Sequence, residues 1–431
     1  MTSNTSISII NGRLIDPAND IDEHLDLHIS QGKILSVGEK PSGFEADIII
    51  DAKNKVICPG LVDLNAHLRE PGYEFKGSIE SETAAAAKSG ITTLIFPPDT
   101  LPVIDTPAVV ELIRRKAKQS GKARVLTQAA MTQDLEGNEI SDMQALQQVG
   151  CVAVSNAGKP LGSTLIQRRA MEYASTFGLQ VFVQSEDRHL RNKGCAHEGR
   201  ISARMGLPGI PEAAETVAVA RDIALAEATG AKLHFQTLTT AKSLRKIQHA
   251  LADGIQLSAD VAVHQLHLTE MDIENFNAQC HVHPPLRTLR DRDALRSAVA
   301  SGLISAICSD HQPHDADAKA HPFPDSEPGI SSLETLLALT LKLVDEGVMD
   351  LPTAIARVTI GPAQILGLPY GKLDAGSSAD ICIFEIDSPW TLKREEMLSK
   401  GKNSPFINWE FNHRVTHTLF EGRLVYQSDK N

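Results

Sequence analysis

The stretch that decides the fold is PGLVDLNAHLREPG, residues 59–72, in which a short apolar run ends in polar side chains. The stretch CSDHQPH, residues 308–314, repeats that pattern. Between them, apolar runs alternate with segments of helical periodicity such as 79–88 and 108–118. Eight runs predict strands: Leu61-Val62, Thr92 to Phe96, Val125-Leu126, Val152 to Val154, Val181 to Val183, Leu233 to Phe235, Leu257 to Ala259 and Ala306 to Cys308. This alternation favours a (βα)₈ TIM barrel over an open sheet, and places any site just past the C-terminal ends of the strands.

The two ends of the chain predict a second, smaller unit. Apolar runs at 7–10, 34–37 and 48–50 lie between turn signals, and similar runs recur at 380–384, 415–420 and 424–426. Strands at both ends around an α/β middle suggest one composite β-domain made from both termini. The predicted organisation is therefore residues 1–56 and 366–431 in the β-domain and residues 57–365 in the barrel.

Composition excludes several classes of protein. The net charge of −12 and a pI of about 5.7 argue against a general nucleic-acid-binding surface. The six cysteines form no CxxC pair and are expected to be buried free thiols. The first ten residues lack the features of a signal peptide, and no apolar run is long enough to span a membrane. We expect a cytoplasmic, soluble protein.

Residues 59–72 and 308–314 resemble the dihydroorotases of the amidohydrolase superfamily. Three further segments, at 284–287, 329–335 and 399–406, also resemble dihydroorotase segments, and the likeness follows the expected order along essentially the whole chain. The resemblance implies chemistry on a metal-activated water, held by histidines, a carboxylate and a bridging acid.

The metal-ligand positions implied by the resemblance are depleted in this chain. Asn65 stands at the first ligand histidine, Asn156 and Ala157 at the bridging acid, Gln184 and Thr237 at the later histidines, and only His67 and Asp310 remain. A catalytic zinc usually keeps three protein ligands, and an amide is a poor substitute for an imidazole. We therefore expect zinc to be lost, no other cofactor, and no functional catalytic residue.

The substrate pocket implied by the resemblance is also altered. Arg69 and His314 are kept, whereas Asp99 replaces an asparagine and His283 stands where an asparagine commonly precedes Pro284. An acid near Arg69 would pair with that arginine and repel a substrate carboxylate. We expect His67 to be a hydrogen-bonded structural residue, while Asp310 is equally consistent with a base and a buried structural acid.

The pattern as a whole resembles the non-catalytic pseudo-dihydroorotases that accompany bacterial aspartate carbamoyltransferase. It implies a structural subunit in pyrimidine biosynthesis, with the carbamoyltransferase catalytic chain as partner and a homodimer within a larger hetero-oligomer. Two alternatives stay open. One is a weak or altered cyclic-amide hydrolase that uses His67, Asp310 and a further donor. The other is a metabolite-sensing barrel that binds through Arg69 and His314.

Overall fold

The structure, a computed structural model, describes residues 5–428, so residues 1–4 and 429–431 of the expected domains lie outside the described residues. Its centre is an eight-stranded parallel sheet in which each strand pairs with the next along the chain. The barrel strands, one to eight, are Leu61–Asp63, Ile91–Phe96, Arg124–Ala130, Ala153–Ser155, Gln180–Val183, Leu233–Phe235, Leu257–Ala262 and Ala306–Cys308.

The barrel closes just beyond the first and eighth strands. Ala66 forms a parallel bridge with His311, where His67 N donates to the His311 carbonyl at 2.9 Å and His311 N donates to the Asn65 carbonyl at 3.1 Å. This confirms the predicted barrel and brings the two decisive stretches of sequence together. All eight predicted runs lie in or overlap these strands.

Helices cover the outside of the barrel, and local sequence sets their ends. The helix at 79–88 has the predicted bounds: Ser78 accepts from Ser81 N as N-cap, and Glu80 and Glu82 lie in its first turn. The helix predicted at 108–118 is longer, because Pro107 suits a first helical position. The α-helices are Ile79–Lys88, Pro107–Ser120, Met143–Gln148, Thr164–Thr176, Arg188–Arg191, Arg200–Met205, Glu212–Thr229, Ala241–Ala252, Leu289–Ser301, Leu336–Asp345, Leu351–Val358 and Ile360–Leu366. The 3₁₀ segments are Gln133–Leu135, Val263–Leu266, Glu270–Phe276, Ala278–Cys280, Asp317–Lys319, Phe323–Asp325, Leu333–Thr335 and Arg394–Glu396.

A composite β-domain is built from both ends of the chain, as predicted. A six-stranded sheet has the order Arg423–Gln427, Arg414–Phe420, Ile381–Glu385, Lys55–Pro59, Arg13–Asp16 and Ile21–His24. A four-stranded sheet has the order Lys33–Val37, Leu27–Ser30, Ile7–Ile10 and Ile48–Asp51. The strand Lys55–Pro59 straddles the expected boundary at 56/57, and the barrel strands begin at Leu61. Two small pairs complete the strands: Ala196–His197 with Gly209–Ile210, and Trp390–Thr391 with Glu410–Phe411.

The core of the barrel consists of one large cluster that joins strands to helices and a smaller, separate cluster made largely of barrel-strand residues. Phe96, Phe182 and Phe235 come from barrel strands two, five and six, and all three are fully buried. Truncating a buried phenylalanine to alanine typically costs about 3–5 kcal/mol. All six cysteines are buried and free, as the sequence predicted. Within the described residues, no helix is long and apolar enough to cross a membrane.

Candidate functional site

Two side chains, one after the first barrel strand and one after the last, meet at the position where the resemblance implies a metal. Asn65 follows the first strand and Asp310 follows the eighth, and both are buried. The Asn65 amide Nδ2 donates to Asp310 Oδ1 at 2.8 Å, and the Gln312 amide donates to the same oxygen at 3.1 Å. The carboxyl group that would bind a metal in the family is therefore hydrogen-bonded by two protein amides.

The surviving histidine of the motif is bound to the acid that replaces the family's asparagine. His67 Nδ1 lies 2.8 Å from Asp99 Oδ2, whereas Arg69 Nη1 lies 3.5 Å from the same oxygen. The expected contact between Arg69 and Asp99 is present, but His67 is the closer partner. Arg69 Nε donates instead to the Pro313 carbonyl at 3.2 Å. Nothing in the two sequence motifs indicates the contact between His67 and Asp99.

The other depleted positions contact one another or the backbone. The Gln184 amide points at Thr237 Oγ1 and at the His283 carbonyl, each at 3.4 Å, and Thr237 N donates to Asp260 Oδ1 at 2.6 Å. Asn156 accepts from Thr132 Oγ1 at 2.9 Å and donates to the Lys159 carbonyl at 2.7 Å.

A cavity of about 140 Å³ lies among these side chains. It is lined by Asn65, His67, Pro97, Asp99, Ala157, Gly158, Gln184, Gln236, Thr237, His283, Asp310, Gln312 and Pro328. Asn156 lies instead in the wall of a neighbouring cavity. Most of the sequence-predicted site residues are thus brought together.

Arg69 and His314 do not line this cavity, which corrects the expectation that they form part of its binding surface. His314 is turned into the protein: its Nε2 donates to the Pro328 carbonyl at 2.9 Å, and its backbone N donates to Asn403 at 2.8 Å. Burial, together with the charge of Arg69, lowers the pKa of His314 to about 2. It is therefore a neutral structural residue at physiological pH.

Burial dominates the electrostatics of the site. It raises the pKa of the Asp310 carboxyl well above its usual range, and the nearby Asp260 and Asp63 act in the same direction. Burial also lowers the pKa of His67; the nearby Asp99 acts in the opposite direction, and the charge of Arg69 cancels part of the effect of Asp99. Burial opposes ionisation of Asp99, but the hydrogen bond from His67 and the charge of Arg69 keep the pKa of Asp99 below its usual value. The site therefore favours a protonated Asp310 beside a neutral imidazole.

The residues present do not fit a zinc ion. Within residues 5–428, no group of three or more His, Cys, Asp or Glu side chains is arranged to hold a metal. Of the candidate donors, Asp310 is bonded by Asn65 and Gln312, and His67 Nδ1 is held by Asp99. His281 and His283 form no metal pair either: His281 bonds Ser326 Oγ at 2.9 Å, and His283 Nε2 lies 3.2 Å from Glu186.

Buried polar pairs that the sequence analysis did not single out support the loops around the site. His311 Nε2 lies 2.8 Å from Glu82 Oε2, and both side chains are fully buried. Asp63 accepts from Ser309 N at 2.8 Å and from Ser309 Oγ. Both contacts join the first part of the barrel to the segment after its eighth strand, next to Asn65 and Asp310. The position of His311 beside Asp310 in the 308–314 stretch was the available signal.

Comparisons with known proteins agree with this fold. The family model described as dihydro-orotase-like matches residues 54–243, and that of the amidohydrolase family matches residues 325–426. The solved L-hydantoinase (dihydropyrimidinase) from Arthrobacter aurescens superposes with a TM-score of 0.89 at 23% identity, over 99% of this chain and 97% of its own. The fold is thus that of an amidohydrolase, a barrel with a separate β-domain.

Relatives in sequence identify the family within the amidohydrolases. A dihydroorotase-like protein of Pseudomonas aeruginosa is 48% identical over 98% of this chain and all of its own length. One from Pseudomonas putida is 46% identical over 98% of this chain and 99% of its own. A protein of Syntrophus aciditrophicus named dihydroorotase is 40% identical over 97% of this chain and 98% of its own. The chain belongs to the dihydroorotase-like family.

Proposed function

We propose that this member of the dihydroorotase-like family is catalytically inactive and serves as a structural subunit. The observation that carries the proposal is the 2.8 Å hydrogen bond between the Asn65 amide and Asp310. It engages one oxygen of the carboxyl group on which a metal and a proton transfer would depend. Without a metal, an acid or base contributes only about 10²–10⁴-fold to rate, which does not replace a Lewis acid.

The proposed partner is the catalytic chain of aspartate carbamoyltransferase, in pyrimidine biosynthesis in the cytoplasm. Two features support it. The full fold and its buried polar contacts are retained although the metal ligands are not, and the chain resembles pseudo-dihydroorotases that accompany that enzyme. In this proposal the chain forms a homodimer within a larger hetero-oligomer, without nucleic acid or membrane as a partner.

The first experiment measures metal and activity on the purified full chain. We expect well under one equivalent of zinc after dialysis, and background rates of dihydroorotate hydrolysis and carbamoyl-aspartate cyclisation with added zinc or manganese. The dihydroorotase of Syntrophus aciditrophicus serves as the comparison protein. Turnover above about 1 s⁻¹, within the usual enzyme range, would contradict the proposal if Asp310→Ala abolished it.

The second experiment tests the partner. Co-expression with the host's aspartate carbamoyltransferase should give one complex by sizing, with carbamoyltransferase activity that depends on this chain. Conservative substitutions at Asn65 and Gln184 should leave the complex unchanged, because these side chains lie inside the cavity. Two separate peaks, or loss of the complex on those substitutions, would count against a structural role carried by the outer surface.

A weak or altered cyclic-amide hydrolase is the second candidate, favoured by the relatives at 38–41% identity that are named dihydroorotase. The assay above separates it from the first. For a metabolite-sensing barrel, the cavity of about 140 Å³ is small beside the ~300–1,000 Å³ of typical ligand pockets. Calorimetry with pathway intermediates tests that reading, since a sensor would show saturable binding without turnover.

A further inference from the structure

A second cavity lies at the end of the barrel opposite the candidate site, where strands five, six and seven begin. Its volume is about 490 Å³, within the ~300–1,000 Å³ of typical ligand pockets. Ser258, the second residue of strand seven, lines this cavity and is half-buried. A small molecule in the cavity would therefore contact Ser258.

Three polar side chains form a series of hydrogen bonds that begins at this cavity. Ser258 Oγ lies 2.8 Å from His234 Nδ1, and His234 Nε2 lies 3.0 Å from Asp260 Oδ2. His234 and Asp260 are fully buried, so only the serine end of the series reaches the cavity. A serine, a base and an orienting acid at these distances are the geometric signature of a nucleophilic serine. We propose that Ser258 is the nucleophile of an esterase site, where it accepts the acyl group of small carboxylic esters.

The barrel strands place the three side chains together. His234 in strand six pairs in register with Ser258 in strand seven, and Asp260 lies two residues beyond Ser258 on the same strand. Because side chains two residues apart lie on one face of a strand, Ser258 and Asp260 both face His234. The acid is fixed by a second contact, since Asp260 Oδ1 accepts from Thr237 N at 2.6 Å.

The acid sets which imidazole nitrogen carries the proton. A carboxylate only accepts hydrogen bonds, so His234 Nε2 carries the proton and donates it to Asp260. That leaves a lone pair on Nδ1, to which the Ser258 hydroxyl donates. His234 is thereby placed to take the Ser258 proton as general base, and Asp260 is a positioning residue.

The reaction follows from these roles. Ser258 Oγ attacks the carbonyl carbon of the ester while its proton passes to His234 Nδ1. The carbon–oxygen bond to the leaving group then breaks, and the leaving oxygen takes that proton and departs as an alcohol. Water repeats the sequence on the acyl-serine: it gives a proton to His234, and the acid and the free Ser258 hydroxyl are released.

The other walls of the cavity suit an uncharged ester with a short apolar acyl group. Lys232 and Gln256 stand two residues before His234 and Ser258 and line the cavity, where they can donate to the carbonyl oxygen as negative charge develops. Lys232 is the one charged side chain among the described residues of the lining. The apolar part of the lining includes Leu233, Leu257, Ile365 and Leu366.

This proposal and the one above concern different ends of the barrel. The inactivity proposed above is that of the metal-dependent reaction beyond the C-terminal ends of the strands. Ser258 lies near the beginning of its strand, and neither His234 nor Asp260 lines the cavity at the other end. The two proposals therefore stand or fall separately.

The chain offers an internal control for the role of the acid. Ser8 Oγ lies 3.0 Å from His28 Nδ1, which repeats the contact of Ser258 with its histidine. Within residues 5–428, His28 Nε2 has no hydrogen-bond partner, so no acid orients this imidazole. Ser8 is buried and does not line the cavity. We therefore expect Ser8 to be unreactive.

The experiment treats the folded full chain with diisopropyl fluorophosphate and locates the adduct by peptide mass spectrometry. Ser258 Oγ bonds to phosphorus and displaces fluoride, and the serine proton leaves through His234. We expect an adduct at Ser258 and none at Ser8. With 4-nitrophenyl butyrate, we expect an acylation burst whose rate Ser258→Ala lowers at least about 100-fold, the lower end of what a general base supplies. An unmodified Ser258 in the folded chain would overturn the proposal.

Asp260→Asn distinguishes activation of the serine from a purely structural role. The asparagine carbonyl can still accept from Thr237 N, but its amide would donate to His234 Nε2 and so move the ring proton to Nδ1. We expect the rate of labelling to fall at least about 100-fold while the circular dichroism spectrum stays unchanged. Ser8→Ala, the matched control, should leave the rate unchanged. Labelling of Asp260→Asn at the wild-type rate would show that the buried acid does not activate Ser258.

Discussion

Replacing Asp310 with asparagine should stabilise this protein, although the residue lies at the centre of the family's catalytic site. The side chain is 4% exposed, and its Oδ1 accepts from the amides of Asn65 and Gln312. An asparagine carbonyl can accept the same two hydrogen bonds. What Asp310→Asn removes is the cost of holding an ionisable group where burial raises its pKa well above the usual range.

The magnitude follows from linkage between protonation and folding. Below the pKa of unfolded aspartate, about 3.9, both states are protonated and the substitution should be nearly neutral. At higher pH the unfolded chain releases the proton while folded Asp310 keeps it. The wild-type chain then loses about 1.4 kcal/mol of stability per pH unit relative to the variant, until the pH reaches the folded pKa. The advantage of Asp310→Asn therefore grows as pH rises and then becomes constant.

The assay is urea denaturation of both proteins at about pH 4.5, 5.5 and 6.5, with refolding verified at each. Between the first two values we expect the difference in the free energy of unfolding to grow, by at most about 1.2 kcal/mol because the unfolded side chain is not yet fully ionised at the lower pH. Asp317→Asn, at an exposed position of the loop after the eighth strand, is the control and should show no such growth. A variant less stable than wild type near pH 6.5, or a difference independent of pH, would refute the reasoning.

Three further outcomes are expected. Asn65→His supplies a third donor beside His67 and Asp310 but removes the hydrogen bond from the Asn65 amide to Asp310. We expect weak metal binding by elemental analysis, a loss of about 1–3 kcal/mol in the free energy of unfolding, and background turnover in the dihydroorotate assay; robust hydrolysis would contradict this. Asp99→Asn restores the family's residue but leaves the buried Arg69 without its anion, so the midpoint of thermal unfolding should fall. A rise would show that the contact between His67 and Asp99 is not stabilising. Gly90→Ala places a Cβ 2.3 Å from Cys382 Sγ at a backbone φ of +82°, so the free energy of unfolding should fall by roughly 2–3 kcal/mol. Adding Cys382→Ala should recover part of that loss in urea denaturation, and purely additive effects of the two substitutions would contradict the clash.

The barrel could be predicted because its strands are buried on both faces and therefore read as short apolar runs between helical segments. The depleted metal positions were equally visible, since each is a change of residue type within a motif. Other features depend on partners distant in sequence. The strand Ile21–His24 has three exposed polar residues and no apolar alternation, so only its pairing with Arg13–Asp16 reveals it.

Contacts in the candidate site also depend on partners distant in sequence. Asp99 was expected to neutralise Arg69, and both groups are where that expectation needs them. The 2.8 Å contact with His67 depends on how the loops after the first and second strands pack, which the sequence does not specify. Likewise, the retained Arg69 and His314 gave no sign that neither side chain lines the cavity.

The strand Lys55–Pro59 has a consequence for how the chain is made. It pairs with Arg13–Asp16 on one side, which the ribosome produces early, and with Ile381–Glu385 on the other, which emerges only when about nine-tenths of the protein has been translated. During synthesis the barrel can therefore form while one edge of this strand still has open backbone groups. A chain that ends prematurely keeps that edge exposed, and an unpaired edge invites pairing with other chains. Truncated products should therefore aggregate or be degraded, so that only complete chains accumulate.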